Sequence, residues 1–285
     1  MTTITEPTFD ALLPPAMAGK AEQVGVNKAN LETISTFMLA VLAGAFIALG
    51  AVFSTTVTAG ASGMLPFGVT KLLGGLVFCL GLILVVVAGA ELFTGNNLII
   101  MAWASGKVTT RQLLRNWIIV YVGNFVGSIG TALFMFLSGQ YAFGTGAIGL
   151  NVLNIADTKA NLGFVQAIIL GILCNALVCL AVWLTYSART TTDKILAILF
   201  PITAFVAAGF EHSVANMYFI PVGLFVKGGA SAEFWSQIGK TATDYGNLTW
   251  QGFLINNLIP VTIGNIIGGT VLVGVIYWRI YLRRS

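Results

Sequence analysis

The chain has 285 residues, 57% of them hydrophobic and only 8% charged, with a mean hydropathy of +0.90. A water-soluble domain carries about a quarter charged residues, so this composition excludes an ordinary soluble globule and points to a surface that faces lipid. The formal net charge is +4. With no basic run and no basic–aromatic surface, that excess reads as loop charge around membrane spans and not as nucleic-acid binding.

Residues 1–30 are polar and hold no continuous apolar stretch, so no cleaved signal peptide is expected and the amino terminus is expected to stay in the cytoplasm. Pro15 suits the first turn of a short helix and Gly25 its end, with Met17, Ala21 and Val24 sharing one face. This predicts an amphipathic helix lying on the membrane or against the bundle, distinct from a membrane domain over 31–285.

A membrane span needs about 20 apolar residues. Spans are predicted at Thr33–Val57, Leu72–Ala90, Leu113–Leu137, Phe164–Tyr186, Ile195–Gly209 and Phe253–Tyr281. Two further apolar pieces, Leu98–Ala104 and Val214–Val226, are too short to cross alone, so the second and fifth of six spans read as interrupted. An even count puts both termini on one side. Lys20, Lys28, Lys107, Arg111, Arg115, Arg189, Lys194, Arg279, Arg283 and Arg284 then fall on the amino-terminal side, against Lys71, Lys159, Lys227 and Lys240 opposite. That bias predicts cytoplasmic termini.

The two halves echo each other. Gly123-Asn124-Phe125-Val126-Gly127 in the third span matches Gly264-Asn265-Ile266-Ile267-Gly268 in the sixth. Gly89-Ala90-Glu91-Leu92-Phe93-Thr94-Gly95-Asn96 and Gly209-Phe210-Glu211-His212-Ser213-Val214-Ala215-Asn216 follow the second and fifth spans and share Gly-x-Glu and a final Asn. Such matches in one order predict two three-span repeats, at about 31–140 and 160–285. An odd number of spans per repeat makes them inverted, and paired broken helices then point to a transport site at the midplane.

Broken helices expose backbone groups that survive at membrane depth only in protein or beside a wet cavity, and a half-helix amino terminus suits an anion. Thr94 and His212–Asn216 sit where such ends are expected. His212 is the only histidine; it exchanges a proton near neutral pH, or serves as a neutral hydrogen-bonded imidazole. Glu91 and Glu211 are expected to hold the broken backbone by accepting N–H bonds. Asn175 needs a partner in its apolar run, either facing the cavity of His212 or bridging helices. Phe78 and Leu82 share a helix face and form a candidate constriction, although such pairs are commonly just packing. Cys79, Cys174 and Cys179 lie in apolar stretches without a metal-ligand spacing, and no metal or cofactor is expected.

The segments Ala88–Gly95, Gly171–Ala181, Gly209–Met217 and Asn257–Gly269 resemble the signature motifs of the formate–nitrite transporter family, and the likeness runs from about Phe9 to Leu282. The chain looks most like the formate channels. The resemblance implies an all-α, aquaporin-like six-helix protomer in a homopentamer of the inner membrane, with one pore per protomer. It implies a central polar pair, Thr94 and His212, with Asn175 and Asn265 nearby. It further implies a cytoplasmic slit of Leu82, Phe93 and Val178, an outer slit of Phe78, Leu92 and Phe205, and an amino-terminal helix acting as a pH-dependent gate. Gly95, Asn96 and Asn97 stand where relatives often carry hydroxyl side chains, so formate and nitrite both remain open. Protons and a small anion are the expected partners. A neutral-solute channel is the rival reading. An enzyme is not expected: Ser213 merely adjoins His212, no GxSxG is present, and there is no second histidine for a metal or haem.

Overall fold

The computed structural model describes residues 10–283. Phe9, where the family likeness begins, and Arg284, counted among the amino-terminal-side cations, lie outside them.

Helix α1 (Pro14–Ala29) starts on two prolines, whose fixed φ and missing N–H cost nothing in a first turn. It does not stop at Gly25. That glycine is buried, and a Cβ there would meet Ala102 Cβ at 3.1 Å and Ile99 Cα at 3.4 Å. Gly25 therefore serves close approach, not helix termination. Met17, Ala18, Ala21 and Ala29 are buried with it, in one apolar cluster with Leu98–Ala102. Lys20 Nζ donates to the Tyr186 carbonyl at 2.9 Å, and Lys107 pairs with Glu22. The helix thus lies against the bundle.

Five helices are long and apolar enough to cross a membrane: α2 (Thr33–Thr58), α3 (Phe67–Gly89), α6 (Thr110–Leu137), α8 (Phe164–Ser187) and α12 (Gly252–Tyr281). Between α3 and α6 the chain makes two short helices, α4 (Phe93–Asn96) and α5 (Ile100–Ala104), joined by a 3₁₀ turn. Two further helices, α9 (Thr191–Ala207) and α10 (Ser213–Gly229), follow one another across a break, each shorter than a span. The interruptions expected after the second and fifth spans are therefore present. Helices α7 (Ala147–Ala160) and α11 (Ala232–Ile238) occupy stretches read from sequence as connections; each is too short and too polar to register as a span.

Starts are marked by side-chain caps. Glu32 accepts the Ile34 and Ser35 N–H groups ahead of α2, and Thr109–Gln112 and Thr190–Asp193 form reciprocal capping boxes. Because lipid is as apolar as the side chains, helix association rests on close packing through small residues. Gly127 of α6 faces the Val41 carbonyl of α2, and Gly268 of α12 faces the Ile172 carbonyl of α8. Each contact leaves no room for a methyl group. Large apolar residues such as Ile118, Phe134, Val165 and Phe200 stay exposed, as a lipid-facing surface requires.

Gly127→Ala or Gly268→Ala drives Cβ into a backbone carbonyl that cannot retract, and is expected to cost about 1–3 kcal/mol. Gly130→Ala, whose Cβ meets nothing within 4 Å, is expected to be neutral. Melting temperatures of the three variants in detergent check this.

Candidate functional site

Each interruption turns on the glycine of the repeated Gly-x-Glu. Gly89 (φ +83°) and Gly209 (φ +73°) take left-handed backbone that L side chains rarely adopt, ending α3 and α9. Gly95, beside the first break, lies inside α4 in helical conformation. Three residues of extended chain follow each turn; the first N–H (Ala90, Phe210) still bonds back to the preceding helix, and the regular ladder of N–H and C=O bonds then stops.

Asn124 and Asn265 supply side-chain partners at these breaks. Asn124 Oδ1 accepts the Phe93 N–H at 2.9 Å, while Nδ2 donates to the Ala40 and Glu91 carbonyls at 2.7 and 2.9 Å. Asn265 Oδ1 accepts the Ser213 N–H at 2.9 Å, while Nδ2 donates to the Gly171 and Glu211 carbonyls at 2.8 and 2.9 Å. One acceptor and two donors are all an asparagine amide has in these directions, so neither can be flipped. Asn265 was expected beside the pathway. It is fully buried and wholly engaged by backbone.

The two glutamates were expected to do this work and do not. Their carboxylates accept from ammonium and amide groups. Glu91 takes Lys28 Nζ at 2.6 Å and Asn96 Nδ2 at 2.7 Å. Glu211 takes Lys159 Nζ at 2.7 Å and Asn216 Nδ2 at 2.6 Å. Asn116 and Asn257 complete the pair of networks: their Oδ1 atoms accept from Asn96 and Asn216, and their Nδ2 atoms donate to the Lys28 and Lys159 carbonyls. The backbone N–H groups at each break are already held: Phe93 and Ser213 by the asparagines, Glu91 and Glu211 by the Leu39 and Leu170 carbonyls at 3.3 Å.

Lys28 and Lys159 were not picked out from the sequence, but a signal existed. Lys28-Ala29-Asn30-Leu31 and Lys159-Ala160-Asn161-Leu162 are identical tetrapeptides. They end α1 and α7, so the correspondence between halves includes these two helices as well as the spans.

Between the breaks, Thr94 Oγ1 and His212 Nε2 stand 2.9 Å apart, both buried. His212 Nδ1 accepts the Ala215 N–H at 3.0 Å, capping α10. An N–H can only donate, so Nδ1 is unprotonated and a neutral His212 carries its hydrogen on Nε2, aimed at Thr94 Oγ1. The threonine hydroxyl hydrogen is then left for another acceptor. Asn175 bridges helices: Nδ2 donates to the Asn265 carbonyl, Asn97 Oδ1 and the Thr94 carbonyl at 2.7, 2.8 and 3.3 Å.

Two cavities approach this pair from opposite ends. One, about 420 Å³ beside α1, is lined by Lys20, Lys28 and Lys194 with Glu91, Leu82, Leu92 and Gly95. The other, about 480 Å³ and distal to α1, is lined by Lys71, Lys159, Glu211, His212 and Asn216 with Phe78 and Phe205. The lysines divide between them as the charge count places them. Leu92 was grouped with Phe78 and Phe205 as one slit, but it borders the α1-side cavity with Leu82. Phe93 and Val178 are buried and line neither cavity; Phe93 packs its ring against Tyr121 at 4.9 Å. The Phe205 ring stacks on His212 at 5.9 Å and meets Phe78 edge-on at 5.7 Å.

Lys159 and Glu211 are both largely withdrawn from solvent (16% and 5% exposed). Glu211→Gln leaves the ammonium uncompensated and is expected to cost about 3 kcal/mol. The double variant Lys159→Met/Glu211→Gln removes both charges and is expected to recover most of that loss. A double-mutant cycle of melting temperatures measures the coupling.

Residues 15–279 match the formate/nitrite transporter family. The chain is 52% identical over 277 residues to the formate channel FocA of Escherichia coli strain K12, covering 97% of each. It is 47% identical over 275 residues to that of Haemophilus influenzae, covering 96% of each. Among solved structures it matches a pentameric formate channel with formate bound, with a TM-score of 0.84 and 49% identity, over 88% of this chain and 98% of the other. With a match over nearly its whole length, this chain belongs to the formate/nitrite transporter family.

Proposed function

We propose that the chain is a formate channel of the inner membrane, assembled as a homopentamer with one pore in each protomer and both termini in the cytoplasm. Each protomer is two inverted repeats of three spans, the second span of each repeat broken. The observation that carries this reading is the buried Thr94–His212 pair standing between two lysine-bearing cavities. Relatives named as formate channels, at about half identity over nearly the whole chain, support formate over nitrite.

Formate entering either cavity meets a Lys–Glu pair, then apolar side chains where a bare charge is expensive. Leu82 and Leu92 flank one approach, Phe78 and Phe205 the other. At the centre the Thr94 hydroxyl donates to a formate oxygen, held in that orientation by the Nε2–H of His212. Asn175 and Asn265 keep Thr94 and His212 in register without touching the anion, and Asn96 and Asn216 tie each glutamate to the helix beyond its break. The helix α1 is the candidate gate, since its Lys28 is bonded directly to Glu91 at the first break.

Proton transfer through His212 requires a cationic ring, and a second proton on Nδ1 displaces the Ala215 N–H. The arrangement therefore favours a neutral His212 that orients Thr94, with formate taking any proton from water in the cavities. Proton relay through His212 is the second reading.

His212→Asn separates them, because asparagine still caps α10 but cannot shuttle a proton. We expect it to fold, to conduct formate more slowly and to keep any proton co-movement; loss of proton co-movement would establish the relay. The wild-type chain is expected to pass formate faster than nitrite in proteoliposomes from about pH 5 to 8, the range in which imidazole titrates. Nitrite faster than formate moves the assignment to nitrite. Glycerol flux in place of either anion overturns it.

A further inference from the structure

The two cavities are alike in size and different in chemistry. The α1-side cavity is walled by aliphatic residues and has Tyr186 as its one aromatic. The distal cavity has five phenylalanines on its wall: Phe67, Phe78, Phe205, Phe210 and Phe219. Phe78 and Phe219 lie nearly parallel, with centroids 6.4 Å apart and planes 17° apart. At about 480 Å³ the cavity falls in the range that holds drug-sized molecules. A one-carbon anion uses little of that volume and none of that aromatic surface.

The charges on its wall are also unbalanced. Lys159 is bound to Glu211 and lies 5.4 Å from the Phe219 centroid. Lys71 has no ion-pair partner among the described residues, and its Nζ stands 5.4 Å from the Phe67 centroid. Two ammonium groups therefore face one carboxylate. A cation beside an aromatic wall suits a ligand that is flat, apolar and singly negative.

We propose that the distal cavity is a binding site for aromatic monoanions, a single ring bearing a carboxylate or sulfonate. The acid group pairs with Lys71, and the ring lies against Phe67 and the Phe78–Phe219 stack. A bound ring is too wide to pass between Phe78 and Phe205, so it plugs the pore from this side. The α1-side cavity, with no phenylalanine on its wall, does not hold it. The placement of the site on the outer face rests on the topology proposed above, in which α1 is cytoplasmic.

Benzenesulfonate is the probe, because it stays anionic and does not cross the bilayer. Formate flux is measured in right-side-out and inside-out membrane vesicles carrying the chain. The expected result is inhibition by external benzenesulfonate in right-side-out vesicles and none in inside-out vesicles. Cyclohexanesulfonate, of the same charge and girth but without a π face, is expected to be roughly fivefold weaker. Lys71→Gln and Phe67→Ala are each expected to weaken inhibition by about fivefold or more while formate flux persists. Equal potency of cyclohexanesulfonate, unchanged inhibition in both variants, or inhibition from the inside alone overturns the proposal. If no formate flux is seen, the functional reading fails separately. The site is then decided by calorimetric titration of the purified protein with benzenesulfonate: heat lost in Lys71→Gln supports it, and no heat in the wild type refutes it.

Discussion

The structure depends on satisfying backbone groups where there is no water to do so. A helix broken at membrane depth leaves N–H and C=O groups that each cost several kcal/mol if unpaired. Asn124 and Asn265 meet that demand with three bonds each, at equivalent places in the two halves. Because these amides reach across from α6 and α12, the breaks cannot shift along their spans without abandoning the bonds. That places Thr94 and His212 opposite each other.

The two halves share a frame and differ at the centre. Glycine turn, glutamate, asparagine, lysine and glycine-mediated packing all recur. At the positions that meet in the middle, Leu92 corresponds to His212, Phe93 to Ser213 and Thr94 to Val214. The buried Thr94–His212 hydrogen bond therefore takes one residue from each half, while their counterparts Val214 and Leu92 are apolar. The same asymmetry appears in the lysine networks. Lys28 bonds both Glu91 and Asn96, whereas Lys159 bonds Glu211 and lies over the Phe219 ring, leaving Asn216 Oδ1 unpartnered.

Ion pairs of this kind are poor sources of net stability, since withdrawing two charges from water costs about what their attraction returns. Their position explains them better. Each places a cation at the end of a cavity leading to an apolar barrier, and each fastens a helix outside the spans, α1 or α7, to a broken one. The connection between helix docking and the pore is therefore a direct hydrogen bond.

Much of this architecture was legible in the residues alone. Apolar length marks the spans, and the repeated Gly-x-Glu and Gly-Asn-x-x-Gly patterns mark the breaks, because hydropathy and helix termination are local properties. The Gly-x-Glu repeat contains Gly89 and Gly209, but their left-handed turn and the terminal lysine of the repeated Lys-Ala-Asn-Leu carry no hydropathy signal. Only the tertiary structure decided which groups meet. Thr94 and His212 are 118 residues apart, Lys28 and Glu91 are 63 apart, and Lys159 and Glu211 are 52 apart. The glutamates were expected to accept backbone N–H bonds and Asn265 to lie beside the pathway. Instead Asn265 holds backbone, because an amide can give and accept at once, and the glutamates pair with Lys28 and Lys159, because a carboxylate at membrane depth is stabilised best by a cation.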